Sequence, residues 1–452
     1  MAATSLRSPS DSAKLTVRLR RPLLAHGLLA AGVSGSIGFL EHYPALKFRD
    51  LAIMCVVGLF GWLALSKKPD SEWMKCVFVP AFGLLVFVLL YAYVFTTRVE
   101  APFLPSVLSQ RKYAFFLIGP IVYMLYLRGW RMVDFQRIFV ASVVLVIVNQ
   151  VFYDIVVASD SLLLSGQFFV LDLGEATEQS SATRTANIGA MFAVLYFTRR
   201  LFQSRETLMV AFSLSMVAVS ALLLIVAIPR GLLTSAGAAL IVYALFFSRP
   251  DRTKLAAIML PLYAALAALL WSPVREYFLN TFGEDKTWAA REDTASAAWE
   301  SFHDYPLLGF GSDSYQSVSF HDIFGDSFYT ADIGLLGVLF QYGLLGVGLY
   351  VFLVGWLCAS MIGMKWNYAG SISREQSVFI WALFAICLVF VFTSPLQARF
   401  IYSVGLPIGA FCWGLVMAHR RELSLESSKE APGSAETARR LGTGRAPGLE
   451  AG

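Results

Sequence analysis

Residues 327–350 read SFYTADIGLLGVLFQYGLLGVGLY. After Asp332 the chain is predominantly apolar from 333 to 356, and about 20 such residues are enough to cross the hydrocarbon core of a bilayer once. The repeated GLLGV, at 334–338 and 343–347, is too short to be a domain repeat and predicts close helix packing through its glycines. The stretch therefore predicts a transmembrane helix with an acidic residue at its start.

The composition of the whole chain supports the same conclusion. Of its 452 residues, 57% are hydrophobic and 15% are charged, whereas soluble proteins carry about 25% charged residues. We therefore expect an all-α polytopic membrane protein with the lipid bilayer as its surroundings. The net charge of +5 is small and spread along the chain, which gives no basic patch for nucleic acid. The five cysteines lack CxxC spacing and are expected to be small buried apolar residues.

Apolar stretches predict about twelve transmembrane helices. They cover approximately residues 22–40, 50–66, 76–96, 113–127, 138–157, 186–198, 207–228, 231–248, 254–271, 333–356, 376–393 and 400–418. The first is read as a retained signal anchor, because no small-residue cleavage site precedes Tyr43. The predicted parts are a basic cytoplasmic N-terminus (1–21), nine helices (22–271), one large periplasmic loop (272–332), three helices (333–418) and a disordered cytoplasmic tail (419–452).

Basic residues in the connections set the predicted orientation. If the N-terminus is cytoplasmic, the cytoplasmic connections hold the basic clusters near 67–75, 128–137, 199–205, 249–254, 365–374 and 419–421. This positive-inside distribution predicts a multi-pass protein of the bacterial inner membrane with both termini in the cytoplasm. The predicted outer connection 97–112 is an exception, because it holds three basic residues.

Ionisable residues are concentrated at the predicted outer ends of the spans. They are Asp154, Arg184, Arg230, Arg291, Asp332 and Arg399. A secondary transporter is expected to place ionisable residues or broken helices near the bilayer midplane. The distribution therefore favours an enzyme that acts on a substrate held in the outer leaflet.

Residues 228–236, IPRGLLTSA, form a predicted outer turn between two spans. Pro229 and Gly231 suit a tight turn. Arg230 is not required by the turn, and basic residues are disfavoured on this side of the membrane. Arg230 is therefore either a residue that snorkels to headgroups or a ligand for phosphate.

Residues 285–304, DKTWAAREDTASAAWESFHD, predict an amphipathic helix in the large outer loop. At 3.6 residues per turn, one face collects Arg291, Trp288, Ala295, Ala298 and Phe302, and the other collects Asp293 and Glu300. An arginine on a protein-facing stripe needs an anionic partner. That partner is either a substrate or an internal carboxylate such as Glu284.

Arg184 precedes the sixth predicted span and is either an interfacial anchor or a further cation on the same side. Arginine binds phosphate bidentately and stays charged at any relevant pH. Arg184, Arg230 and Arg291 together could hold a diphosphate and stabilise the charge of a pyrophosphate leaving group. The surrounding sequence has no DxD motif, His cluster or carboxylate array, so no metal or cofactor is expected.

Asp332 has two interpretations. A helix N-terminal acid complements the macrodipole and can cap the helix, or the carboxylate could be a general base for a sugar hydroxyl. His321 and His303, in the same predicted loop, are alternative bases or plain surface histidines.

Four blocks give the sequence a resemblance to a known family. They are ATRTANIGAMFAV at 182–194, Arg230-Gly231, Arg291 followed by PLLGFG at 306–311, and the Gly-rich span GLLG…QYGLLG. Together they resemble the bacterial O-antigen ligase and polymerase family of membrane glycosyltransferases. The blocks cover roughly residues 180–350.

The resemblance implies a membrane fold of the glycosyltransferase C type and transfer with inversion from a donor on undecaprenyl diphosphate. The arginines would hold the diphosphate at the periplasmic face. Ligases of this family usually show a histidine in an H-N pair before the Gly-rich span. Here the sequence is Tyr329-Thr330-Ala331-Asp332, which looks more like the polymerases and would make Asp332 the activating or orienting acid.

The expected function is polymerisation of undecaprenyl-diphosphate-linked repeat units for exopolysaccharide, capsule or O-antigen. Lipid-linked glycan is then both donor and acceptor, and a chain-length regulator, a flippase and export machinery are possible further partners. A ligase that transfers glycan to lipid A or protein is the alternative, and a lipid-linked glycan flippase or transporter is the second alternative. A structural or interaction protein is a further one.

Overall fold

A computed structural model describes residues 9–39, 48–66, 71–152, 180–227, 286–312, 318–325, 328–367, 374–394 and 405–421. The regular secondary structure of these residues is helical. Five of their helices are long and apolar enough to cross a membrane: Phe48–Leu65, Ser71–Val99, Met132–Phe152, Thr330–Gly363 and Gln376–Thr393. The prediction of an all-α membrane protein is confirmed, and these five helices match the second, third, fifth, tenth and eleventh predicted spans.

The helices are named in chain order. They are α1 (Pro9–Ser36), α2 (Phe48–Leu65), α3 (Ser71–Val99), α4 (Phe103–Ser109), α5 (Ile118–Tyr126), α6 (Met132–Phe152), α7 (Ser180–Leu201), α8 (Thr207–Ala227), α9 (Lys286–Asp304), α10 (Phe320–Phe324), α11 (Gly334–Asn367), α12 (Arg374–Thr393) and α13 (residues 405–421). Helix α3 contains a π-helical turn at Met74–Phe78, and 3-10 helices cover Gln110–Leu117 and Thr330–Ile333. The predicted spans 231–248 and 254–271 and the tail from 422 lie outside the described residues.

Large apolar side chains cover the outward faces of several helices. On α3 they include Phe82, Leu85 and Val86, and on α11 they include Val351 and Phe352, each between 46% and 66% exposed. Such continuous apolar surface is unfavourable in water and suits contact with lipid. The protein is therefore embedded in a membrane.

The fourth predicted span, 113–127, differs from the prediction. Its first part is the 3-10 helix Gln110–Leu117, and α5 has only nine residues. All residues from Ile118 to Leu125 are buried. Gly119 allows this burial, because a side chain there would overlap Trp413 and the carbonyl of Ala410 on α13. The segment is apolar because it packs inside the helix bundle, which hydropathy alone does not distinguish from contact with lipid.

Two helices begin earlier than predicted. Helix α1 begins at Pro9, so part of the basic segment 1–21 continues into the first span. Helix α7 begins at Ser180, so Arg184 lies in its second turn rather than ahead of it. Proline and serine are common at the first turn of a helix, and an apolar-run criterion does not detect such polar starts.

Polar contacts distinguish the two ends of α3. At its first end, Arg421 pairs with Glu72 and also donates to the hydroxyl of Tyr123 at 3.1 Å. At its other end, Arg98 stacks on the ring of Tyr305, with 3.7 Å between Cζ and the ring centroid. The end of α13 and the end of α9 therefore lie at opposite ends of α3.

Helix α11 is broken at Gly343, where the backbone has φ 62° and ψ −166°. An unbroken helix would pair the carbonyls of Phe340 and Gln341 with the N–H groups four residues later. Instead, the carbonyl of Phe340 accepts from the N–H of Phe310 at 2.6 Å. The carbonyl of Gln341 accepts from the N–H of Gly311 at 2.9 Å. The predicted tenth span is thus two helical pieces rather than one.

The N–H groups on the far side of the break are paired in the same way. Leu344 donates to the carbonyl of Pro306 at 2.9 Å, and Leu345 donates to the carbonyl of Leu307 at 3.2 Å. Unpaired backbone groups are costly where water is scarce. Segment 306–312 therefore closes the break by replacing the four lost backbone partners.

Tyrosine side chains tie the closed break to its neighbours. The hydroxyl of Tyr91 on α3 donates to the carbonyl of Tyr342 at 2.9 Å. The hydroxyl of Tyr342 bonds that of Tyr113, and the N–H of Ser312 donates to the carbonyl of Tyr91 at 3.4 Å. Helix α3, the 3-10 helix after α4, segment 306–312 and α11 thus meet at one point.

Replacing Gly343 by alanine tests the break. The added methyl would overlap the backbone of Leu307 and Gly309, and φ 62° is unfavourable for alanine. We expect Gly343→Ala to lower the free energy of unfolding by more than about 2 kcal/mol, seen as a lower thermal unfolding midpoint in detergent. Gly348→Ala is the matched control, because an added Cβ there meets no atom within 4 Å. Equal midpoints for the two variants would contradict this account of the break.

Candidate functional site

A small aromatic core joins α9, α10 and segment 306–312 to the ends of α3 and α11. Its buried members are Phe95, Ala101, Ala298, Phe320, Phe328, Ile333 and Phe340. Phe310 lies within it and stacks on Phe340, with 5.3 Å between the ring centroids and 11° between the planes. The predicted outer loop is thus packed onto the membrane helices in the part that the structure describes.

Arg291 lies on the face of α9 that the helical pattern predicts. Ala298 is fully buried on the same face, while Asp293 and Glu300 are exposed on the other. Helix α9 packs against α11 and against the 3-10 helix Thr330–Ile333. Arg291 is half-buried, and its Nε is enclosed with no hydrogen-bond partner among the described residues. Glu284, the internal carboxylate predicted as the alternative partner, lies outside the described residues. An enclosed guanidinium N–H of this kind suits either that carboxylate or an oxyanion of a ligand.

Asp332 lies in the 3-10 helix that leads into α11. It is half-buried, and its N–H donates to the carbonyl of Tyr329 at 3.1 Å. Gly334, with φ 57°, separates this short helix from α11. Asp332 is therefore in the short 3-10 turn at the start of the apolar segment Thr330–Gly363, directly before α11. The packing of α9 on this turn puts the elements that carry Arg291 and Asp332 in contact.

His321 is held by a capped turn. Ser319 begins α10, and its hydroxyl accepts from the N–H of Asp322 while Asp322 accepts from the N–H of Ser319 at 2.7 Å. The ring of His321 lies edge-on to Tyr329, with 4.6 Å between centroids. Its Nδ1 is enclosed and has no hydrogen-bond partner among the described residues. His321 is thus a fixed imidazole with hydrogen-bonding capacity still available.

A polar cavity of about 60 Å³ adjoins His321 and the turn that holds Asp332. We call it the polar cavity. It is lined by Ser109, Lys112, Ser312, Phe320, His321, Phe328, Tyr329, Thr330, Ala331 and Gln341. The amide of Gln341 donates to the hydroxyl of Thr330 at 2.8 Å, so these two side chains are oriented before any ligand binds.

The other predicted site residues are placed differently. His303 is exposed near the end of α9, and its Nδ1 contacts the carbonyl of Trp299 in the same helix at 2.8 Å. It does not line the polar cavity. Arg230 lies outside the described residues, and of Arg184 only the helical backbone is described. The convergence of the three arginines stays a prediction.

The sequence analysis did not select two cations, Arg98 near the C-terminal end of α3 and Lys112 at the polar cavity. Arg98 stacks on Tyr305, and its Nη1 is enclosed with no hydrogen-bond partner among the described residues. Tyr305 directly follows α9, whereas Arg291 lies in the second turn of α9, about 20 Å before Asp304 along the helix axis, so Arg98 is far from Arg291 along α9. Lys112 lines the polar cavity. The signal for both was the basic connection 97–112, which departs from the charge distribution of the other predicted outer connections.

Within the described residues, no three His, Cys, Asp or Glu side chains are grouped as metal ligands. The sequence matches no family model and no curated protein. The site is therefore interpreted from its own residues and geometry.

The cap of α10 gives a pH-dependent prediction. The N–H of Ser319, and then its hydroxyl, hold the pKa of Asp322 below its usual value. A lowered pKa means that the carboxylate stabilises the turn at neutral pH and loses this effect as pH falls through the lowered pKa. We expect Asp322→Ala to speed amide exchange in residues 319–325 at neutral pH, with wild type and variant converging in acid. Glu300→Ala, an exposed change on α9, should leave that exchange unaltered; an equal effect there would contradict the role of the cap.

Proposed function

We propose that the protein polymerises undecaprenyl-diphosphate-linked oligosaccharide repeat units at the periplasmic face of the bacterial inner membrane. The observation that carries the proposal is the half-buried Arg291, with its enclosed Nε, on a helix packed against the turn that holds Asp332. In the proposed topology of about twelve spans, with both termini cytoplasmic, this site faces the periplasm. The resemblance to the O-antigen ligase and polymerase family supports the same assignment.

The proposed chemistry is a direct displacement at the anomeric carbon of the donor sugar. A hydroxyl of the acceptor glycan forms the new C–O bond, and the bond to the carrier diphosphate breaks with inversion. The diphosphate leaves with the electron pair, and Arg291, with Arg184 and Arg230, binds its growing charge. Asp332 accepts the hydroxyl proton, and His321 is the alternative acceptor.

The closed break in α11 favours an enzyme over a transporter. In transporters, unwound helices leave backbone carbonyls and helix ends to bind ions or substrate. At Gly343 those carbonyls and N–H groups are taken by segment 306–312 and by Tyr91. These backbone groups at the break are therefore already paired, and the polar cavity lies beside His321 and the turn that holds Asp332.

The position of His321 keeps the ligase alternative open. Ligases of the resembled family use a histidine, and His321 supplies one at the polar cavity. Labelled lipid-linked glycan in a deletion strain separates the two activities. Single repeat units on the carrier are expected for a polymerase, whereas long chains on the carrier would show a ligase. Donor trapped at the cytoplasmic face would show a flippase and overturn the proposal.

Arg291 variants test the diphosphate role. Arg291→Lys keeps the charge but loses bidentate binding, and Arg291→Ala loses both. We expect shorter polymer from the lysine variant and a rate loss of roughly 10²–10³ for alanine, measured by gel analysis of polymer and by turnover of lipid-linked repeats. Glu292→Gln is the control, because Glu292 is exposed on the same helix. Normal polymer from a correctly inserted Arg291→Ala protein would exclude the assigned role.

A further inference from the structure

The polar cavity reaches back from the end of α3 at Val99 to the level of Tyr91. Ser312, in its lining, donates its N–H to the carbonyl of Tyr91. Tyr91 is eight positions before the end of α3 at Val99, about 12 Å along the helix. The lining also includes Gln341, seven positions after the start of α11. Polar side chains at this depth are costly unless they are paired or bind a ligand.

The described lining offers hydrogen-bond donors and positive charge. Lys112 has an ammonium, Ser312 and Thr330 have hydroxyls, and His321 has an enclosed Nδ1 with no described partner. The hydroxyl of Ser109 donates to the carbonyl of Ser106 at 2.8 Å, so it is not counted among these donors. Because the Thr330 hydroxyl accepts from Gln341, its own O–H can donate elsewhere. No Asp or Glu is among these lining residues. Donors around a lysine, with no carboxylate in the described lining, match an oxyanion.

The volume of the polar cavity limits the size of the ligand that it can hold. Its volume is about 60 Å³, and one water needs roughly 10–15 Å³ on the same kind of measure. The space thus holds a few waters or one tetrahedral or planar oxyanion. A whole pyranose ring is larger. The bulk of a glycan would therefore lie outside, with one charged group inserted.

We propose that the polar cavity is a binding site for a phosphate- or carboxylate-sized oxyanion, held by Lys112, His321 and the hydroxyls of Ser312 and Thr330. The proposal of an oxyanion site depends only on the cavity and its lining residues. Its role as the pocket for an acidic substituent of the acceptor glycan, beside Asp332, rests on the proposed polymerase function. Arg291, which is proposed to hold the diphosphate of the donor, is not among the residues that line this pocket.

Ligand-dependent unfolding tests the site in the full chain. The protein is placed in nanodiscs of phosphatidylcholine, and the thermal unfolding midpoint is followed as inorganic phosphate replaces chloride at constant ionic strength. A bound ligand raises this midpoint by mass action. We expect Lys112→Gln and His321→Gln each to weaken apparent phosphate binding about tenfold. Lys112→Arg should retain phosphate binding, because it keeps the positive charge. Retained binding in this variant would also show that the protein folds with a different side chain at position 112.

Arg111→Gln is the matched control. Arg111 is the neighbour of Lys112 in sequence, but it is exposed and pairs with Asp50 at 2.7 Å, outside the cavity. No phosphate-dependent shift in wild type, or equal weakening in Arg111→Gln, would overturn the proposal. Competition by phosphatidylglycerol would support the site with a lipid headgroup as its source, and competition by glucuronate would support it with a sugar carboxylate. Because this assay contains no lipid-linked glycan, its outcome does not depend on whether the protein is a polymerase, so the two proposals can be refuted independently.

Discussion

The closure of the broken helix α11 is the constraint on which the rest of the described structure depends. A bilayer does not hydrate backbone groups that a helix break releases. Two carbonyls before Gly343 and two N–H groups after it are all paired with segment 306–312. The segment must therefore enter the helix bundle, and it brings the adjacent α9 and α10 with it.

The same closure explains the glycines in segment 306–311. Gly309 has φ 63° and Gly311 has φ 103°, both in the left-handed region. A side chain at Gly309 would overlap the backbone around Gly343, and one at Gly311 would overlap Phe95. The PLLGFG block thus has a structural reason that does not depend on any catalytic role. The block also fixes the elements that carry Arg291, His321 and Asp332 against α11.

Sequence patterns predicted the parts of the fold that follow from local periodicity. Five long apolar helices and the buried face of α9 follow from hydropathy and from 3.6 residues per turn. The break at Gly343 was not predictable in this way, because both GLLGV repeats have the same apolar helical pattern. What distinguishes the second repeat is a partner segment more than thirty residues earlier in the chain. The polar cavity depends on contacts of the same long range, between 109–112 and 312–341.

The three basic residues of connection 97–112 are an exception to the positive-inside distribution, and each has different contacts in the structure. Arg98 stacks on Tyr305, where a guanidinium gains from the ring face. Arg111 is half-exposed and pairs with Asp50 across 61 positions of the chain. Lys112 alone of the three lines the polar cavity. Arg98 and Arg111 thus attach the connection to its neighbours, whereas Lys112, whose Nζ lies 5.5 Å from the ring centroid of Tyr113, adds a positive charge to the lining of the polar cavity. Its location at a cavity rich in donors makes it a more specific indicator of function than the local excess of charge that first drew attention to this connection.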